Sequence, residues 1–146
     1  MRDREVDMIT YRYSIEGIEP RQVEGFFVGW PNPPSPETHL RILKNSTEVV
    51  LAINDDTGAV VGFVTAVSDG VLTAYIPLLE VLPAYKGRGI GRELMRRMLD
   101  RLKTMYMVDL LCDRELQPFY ERFDMKRAMG MMIRRYEYQC GMAPVD

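Results

Sequence analysis

Lys86, Arg88 and Arg92 are interleaved with Gly87, Gly89, Ile90 and Gly91 in one short run of the chain. Three glycines so close together lower backbone stability unless the chain must bend sharply or let a ligand approach its backbone. Ile90 opens an amphipathic stretch, so a helix starts inside the run. The first N–H groups of a helix have no partner within it, and they lie at the positive end of its dipole. Those N–H groups and three cations describe an anion site, and the anion expected is a phosphate or pyrophosphate.

Two familiar phosphate motifs do not fit. No Gly-Lys-Ser/Thr occurs, as a Walker loop needs. Asp109 has the spacing of a dinucleotide-binding acid, but the glycines read G-x-G-x-G, and Pro83-Ala-Tyr separates them from the preceding strand. A loop that only turns a strand into a helix remains the plain alternative. Among proton-transfer groups, Glu80 is the only carboxylate between Gly70 and Gly91. It reads either as a base or as a strand residue that faces solvent or pairs a loop arginine. Tyr75 or a water chain could also serve as base. His39, the only histidine, reads as an ordinary exposed helix residue.

The stretch Val81-Leu-Pro-Ala-Tyr-Lys-Gly-Arg-Gly-Ile-Gly91 resembles the nucleotide loop of the GNAT superfamily of N-acetyltransferases, Val-x-Pro-x-Tyr/Phe followed by Arg/Gln-x-x-Gly-x-Gly/Ala. Val81, Pro83, Tyr85, Gly89 and Gly91 fall on the pattern, and Lys86 keeps the charge where Arg or Gln is usual. Phe119, Tyr120 and Glu121 match the family's second motif, whereas Asp113, Leu116, Asp124 and Met125 replace its Asn, Ala, Gly and Phe. The likeness covers about residues 48–137.

The resemblance implies acetyl-coenzyme A as co-substrate and acetyl transfer to an amine by direct attack on the thioester. It implies that Lys86, Gly87, Arg88, Gly89, Ile90, Gly91 and Arg92 hold the pyrophosphate, and that backbone near Val81 and Leu82 faces the thioester carbonyl. Phe119 and Asp113 join the cofactor set, although a carboxylate at 113 cannot donate as the family's amide does. Tyr120 takes the place of a tyrosine that protonates the leaving thiolate, with packing in the core as its other reading. Glu80 would sit beside the oxyanion position. The implied acceptor site uses Phe26, Phe27, Trp30, the 31–36 loop and residues near Met131 and Met132. A non-catalytic acyl-coenzyme A-binding regulatory domain of the same fold is the alternative.

The elements that must position these residues are legible in outline. Residues 6–13 and 48–54 read as strands, 59–67 and 72–82 as a hairpin, and 106–112 as a short strand after the helix at 90–105. Strand, helix, strand makes a parallel β-α-β crossover. Pro77 lies inside its strand and predicts an edge or a bulge. Residues 19–30 read as a short helix and 114–123 as another. Ser35 and Pro36 cap a third, with Leu40 and Leu43 on one face. Residues 125–138 are β-like, broken at Gly130. The fold class expected is α/β (α+β), one domain over residues 1–146, with a mixed, mostly antiparallel sheet flanked by helices.

With 146 residues, 47% of them hydrophobic and 27% charged, the chain can bury its own core. No apolar run approaches the roughly 20 residues that cross a bilayer, and the charged start lacks a signal-peptide core. Cys112 and Cys140 form no C-x-x-C pair, so a cytoplasmic protein with reduced thiols is expected and no metal site is assigned. Residues 1–85 carry 6 Arg/Lys against 12 Asp/Glu, and residues 86–146 carry 13 against 9. An anionic cofactor suits the second half, and a cationic small-molecule or peptide amine suits the first. Mild overall acidity argues against nucleic acid, and no membrane partner is expected. A homodimer stays open.

Overall fold

The structure, a computed structural model, describes residues 8–142. One sheet runs in the order β1 (Ile9–Arg12), β2 (Glu48–Asn54), β3 (Val60–Ser68), β4 (Thr73–Val81), β5 (Met107–Asp109). The first four strands are antiparallel, and β5 joins β4 in parallel. The helices are α1 (Pro36–Asn45), α2 (Ile90–Arg101) and α3 (Gln117–Glu121).

β2 and β3 are buried on both faces, which is why they read as continuous apolar runs. Val49, Leu51, Ile53 and Phe63 meet Val23, Phe26, Phe27 and Leu43 on the α1 side. Val50, Ala52, Val61 and Val64 meet Ile90, Leu94, Met95 and Met98 of α2 on the other. Leu94, Met95 and Met98 are wholly buried, and truncating such a side chain to Ala costs about 2–5 kcal/mol. The start of α2 lies directly on Gly62 of β3, where an added Cβ would come within 3.0 Å of Leu94 Cδ1. That contact fixes the height of the glycine loop above the sheet.

Pro77 sits at the expected bulge. Thr65 pairs with Leu78 and Val67 with Tyr75, so Ile76 and Pro77 both oppose Ala66. β5 pairs only with Thr73, Ala74 and Tyr75. Beyond the bulge the two parallel strands diverge, and residues 76–81 of β4 have no neighbour from β5.

Several elements depart from expectation. The strand expected at 6–13 runs Ile9–Arg12, its first two residues lying outside the described ones. The helix at 90–105 ends at Arg101. The helix at 114–123 is a 3-10 turn, Arg114–Leu116, followed by α3. The helix expected at 19–30 is a single 3-10 turn, Pro20–Val23. Gly25, Phe27 and Gly29 then take left-handed φ values of 91°, 62° and 83°, which no α-helix accommodates. Residues 125–138 form no strand. They run irregularly to a 3-10 turn, Tyr136–Tyr138, and pair with no edge. The expected cap of α1 is present, with Ser35 Oγ accepting the Thr38 N–H at 3.1 Å.

Candidate active site

The glycine loop begins where β4 ends. A 3-10 turn, Pro83–Tyr85, lifts the chain off the sheet, and Gly87 and Gly89 follow at φ 80° and 79°. Gly89 is the N-cap of α2, and no side chain caps the helix. A Cβ at Gly89 would meet no atom within 4 Å, so the space beside this backbone is open. Ile90 is buried and anchors the helix, while Lys86, Arg88 and Arg92 are exposed. The Arg88 guanidinium lies over the Tyr85 ring, 4.9 Å from its centroid, and donates to the Ala84 carbonyl at 3.3 Å. An uncapped N-terminus, an open cradle and cations at its rim suit a phosphate.

The other basic residues of α2 are held by their own chain. Arg96 and Arg97 both pair with Glu93, at 2.6 and 2.8 Å. Hydrogen bonding to Arg96 and then to Arg97 brings the Glu93 carboxyl down to about 2 against opposing burial. Arg97 also lies over Tyr11, and Arg101 over Tyr13.

Val81 and Leu82 differ in what their N–H groups do. Leu82 N donates to Val61 O at 2.8 Å, so that pair is hydrogen-bonded. Antiparallel pairing alternates bonded and non-bonded pairs. The adjoining pair, Val81 with Gly62, is therefore non-bonded, and the Val81 N–H points away from β3 into the gap left by β5. A Cβ on Gly91 would lie 3.7 Å from Val81 Cγ2 and 3.9 Å from Phe119 Cζ. The end of β4, the first turn of α2 and α3 thus converge at Gly91. Tyr120 stands beside Phe119, ring centroids 5.0 Å apart.

Tyr120 is half-buried at a cleft of about 790 Å³ that Tyr75, Leu99, Val108 and Cys112 also line. Burial, with a smaller contribution from Cys112, pushes its phenol up to about 12. At neutral pH the hydroxyl keeps its proton, so it is available as a donor. Asp113 is exposed at the N-cap of the Arg114–Leu116 turn, and its carbonyl accepts the Leu116 N–H at 2.9 Å.

Glu80 faces the opposite side of β4. Oε1 accepts the Phe27 N–H at 2.8 Å and Oε2 accepts the Val28 N–H at 3.3 Å. The carboxylate therefore holds the loop in which Phe27 sits at positive φ, rather than a loop arginine. Phe26 and Phe27 are core residues. His39 is buried with them, contrary to the expectation of an exposed helix position. Its ring is 4.8 Å from Phe27 and 4.5 Å from Phe63. Burial brings the imidazole down to about 4, an interaction with the Val23 backbone offsetting this only in part. Trp30 is the exposed aromatic of the expected acceptor site, beside the exposed Met131 and Met132. It lines a concavity of about 390 Å³ with Arg134, Arg135, Tyr136 and Gln139, so charge there is positive, the opposite of what the acidic first half suggested.

Sequence reasoning missed Asn54. It reads only as the last residue of the 48–54 strand, and it is buried. Its Nδ2 donates to the Tyr85 hydroxyl at 2.8 Å while its Oδ1 accepts the Asp56 N–H at 2.9 Å. It ties the far end of β2 to the glycine loop. No group of three or more His, Cys, Asp or Glu side chains converges among the described residues.

A sheet split lies beside an uncapped, glycine-led helix, and the comparisons with known proteins point to one family. The family described as "Acetyltransferase (GNAT) family" matches residues 15–125. A candidate acetyltransferase from Deinococcus radiodurans R1, known from a crystal structure, is 51% identical over 97% of this chain and 99% of its own, with a TM-score of 0.91. A GNAT-family acetyltransferase of Streptococcus pneumoniae TIGR4 is 29% identical over 88% of this chain and 98% of its own, TM-score 0.68. At 16% identity, AAC(6')-Iy, solved with the bisubstrate analogue CoA-S-monomethyl-acetylneamine, shares the fold over 88% of this chain and 97% of its own, TM-score 0.62. No curated protein matches the sequence. The chain belongs to the GNAT acetyltransferase family. Its α/β fold with a mixed sheet is the fold of that family, and acetyl transfer is the activity class that membership carries. Among the described residues no helix is long and apolar enough to cross a membrane.

Proposed function

We propose that the protein transfers the acetyl group of acetyl-coenzyme A to an amine of a small molecule or peptide by direct attack of the amine on the thioester. The observation that carries this reading is the gap between β4 and β5, with the Val81 N–H facing into it. The backbone of residues 87–91, with Lys86, Arg88 and Arg92 at its rim, binds the pyrophosphate. Phe119 packs against the cofactor beside Gly91, and Asp113 is the further residue of the cofactor set. The Val81 N–H donates to the thioester oxygen as negative charge develops on it. As the C–N bond forms, the C–S bond breaks and the amine proton leaves to a base. Tyr120 gives its proton to the departing thiolate. Loss of the Tyr120 hydroxyl should lower turnover about 10²–10⁴-fold if it is a general acid, while the ring still packs and cofactor affinity holds. Single-turnover acetylation of an amine panel by Tyr120→Phe tests this, and a rate within about twofold of wild type makes Tyr120 a packing residue. Absence of thioester turnover by the wild type on every amine, with acetyl-coenzyme A bound, would favour the regulatory-domain alternative.

Glu80 has two readings. As a base, it takes the amine proton directly or through water. As a positioning residue, it holds residues 27 and 28 so that Phe27 and Trp30 wall the acceptor side. The two N–H groups on its two oxygens favour the second reading.

A further inference from the structure

The concavity of about 390 Å³ beside Trp30 has the size of a small-molecule site. Trp30, Arg134, Arg135, Tyr136 and Gln139 line it, and no acidic side chain is among them, although Glu137 lies on the same turn. Arg135 is the N-cap of the 3-10 turn Tyr136–Tyr138, which brings Gln139 back beside Tyr136, its N–H donating to the Tyr136 carbonyl at 3.1 Å. Gln139 Oε1 accepts the Asn32 N–H at 2.9 Å. That bond ties the turn to the loop after Trp30 and leaves the two amide N–H groups of Gln139 as donors. Arg134 donates to the carbonyl of its neighbour Ile133 at 3.2 Å. Arg21, Arg96, Arg97 and Arg127 each pair with a carboxylate, but among the described residues Arg134 and Arg135 pair with none.

Two guanidiniums and an amide make a set of donors. A guanidinium matches a carboxylate or phosphate with paired, charge-assisted hydrogen bonds, and Trp30 and Tyr136 offer aromatic faces to a carbon skeleton. An ammonium group would meet two cations here and no carboxylate, so a cationic amine is not held at this end. One line of contacts joins the concavity to the reacting end of β4. The Trp30 ring lies 4.8 Å from the Phe27 ring, the Phe27 N–H donates to Glu80 at 2.8 Å, and Glu80 precedes Val81 on the strand. We infer that the acceptor is an anionic amine, its carboxylate or phosphate bound by Arg134 and Arg135 beside Trp30 and its amino group directed to the gap at Val81. This rests on acetyl transfer to an amine, and it reverses the cationic acceptor that the acidic first half of the chain suggests. Arg134 and Arg135 then select the acceptor by charge.

Trp30 is the only tryptophan of the chain, so its fluorescence reports occupancy of the concavity without any turnover. Two matched pairs differ in the anion alone: phenylalanine and phenethylamine in a carboxylate, phosphoethanolamine and ethanolamine in a phosphate. Titrated into the full chain with coenzyme A present, an anionic member should bind about ten- to hundredfold tighter than its neutral partner, the worth of a hydrogen bond between charged groups. The pair that shows the preference separates carboxylate from phosphate. Both arginines are exposed, so the double variant Arg134→Gln, Arg135→Gln should stay folded by circular dichroism and lose the preference. Equal affinity within both pairs, or a preference that the double variant keeps, overturns the inference. Thiol release from acetyl-coenzyme A is read separately. Release that ranks the amines as Trp30 does supports the anionic acceptor. Release from the neutral members as fast as from the anionic ones overturns it and leaves acetyl transfer in place. No release from any of the four, with the Trp30 preference intact, removes acetyl transfer and the acceptor role with it, while the anion site itself stands.

Discussion

Two loops use the same backbone device for opposite ends. In residues 25–29, left-handed φ values at Gly25, Phe27 and Gly29 fold the chain down, so that Phe26 and Phe27 bury against His39 and Phe63. In residues 87–89, left-handed φ values at Gly87 and Gly89 lift the chain up, leaving open space beside the backbone and a helix start that no side chain caps. The first loop hides its backbone N–H groups on the Glu80 carboxylate, and the second presents them. Glu80 and Val81 are neighbours on β4, and alternation along the strand sends one to each side. A wall and a cradle thus hang from adjacent residues, and the difference lies in whether an internal acceptor satisfies the N–H groups.

The sharpest way to break the cradle is Gly89→Val. A β-branched residue at φ 79° is strained by about 1–3 kcal/mol and places a side chain where phosphate must approach. Acetyl-coenzyme A affinity should fall about 10²–10³-fold in a protein that remains folded, whereas Gly91→Ala, whose Cβ would make only ordinary contacts at 3.7 and 3.9 Å, should bind nearly as wild type. Equal affinity of Gly89→Val and wild type in a calorimetric titration would remove the loop from the cofactor site.

The wall is predicted to be the acid-sensitive region. The His39 imidazole titrates at about 4 when folded and at 6.5 in its ordinary state. Above 6.5 it is neutral in both states and the full stability is present. As pH falls from 6.5 towards 4 the unfolded chain takes up a proton that the folded one refuses, and stability is lost, up to about 3 kcal/mol in all. Glu93, at about 2, acts only below its ordinary 4.5, so the windows separate. Urea unfolding at pH 7, 5.5 and 4.5 should show a slope in the wild type that His39→Leu lacks. The same slope in both proteins would place the titrating group elsewhere.

Glu80→Gln probes the residue that the wall and the chemistry share. As a positioning residue, its loss should raise the acceptor KM about tenfold, equivalent to about 1.4 kcal/mol, with cofactor affinity and the pH–rate profile unchanged. As a base, its loss should lower kcat at neutral pH, with recovery as pH rises and a displaced acidic limb. A profile measured beside an acetyl-coenzyme A titration decides which reading goes.

The cradle was more legible than the wall because its signals are local. Glycines at 87, 89 and 91, cations among them and an amphipathic run from Ile90 specify a turn and a helix start without reference to the rest of the chain. The same holds for Ser35-Pro36 and for β2, whose apolar run is bounded as the sequence suggests. The wall is less legible because Val23, Phe26, Phe27 and Trp30 have helical spacing, whereas the N–H groups of residues 27 and 28 go to Glu80, remote in sequence. The place of His39 is hidden for a related reason: Leu40 and Leu43 suggest one buried face of α1, whereas Thr38, His39 and Leu43 are buried. Residues 125–138 carry a strand's composition, but a strand needs an edge, and the described chain pairs them with none.

Asn54 offers the finest test, because it reaches the cradle from the far end of β2. Its amide donates to the Tyr85 hydroxyl, and the Tyr85 ring supports the Arg88 guanidinium. Asn54→Ala removes that donor and also the acceptor for the Asp56 N–H, so alone it cannot separate the loop from the turn after β2. Tyr85→Phe removes only the hydroxyl and keeps a ring face for Arg88. Each change should weaken acetyl-coenzyme A binding about three- to tenfold, the worth of one part-buried hydrogen bond at about 1 kcal/mol. If that bond carries both effects, the double variant should be no weaker in binding than Asn54→Ala. Fully additive losses, or a Tyr85→Phe protein that binds as wild type, would show that Asn54 matters only to its own turn, and that the cradle holds its shape through Gly62 and α2 alone.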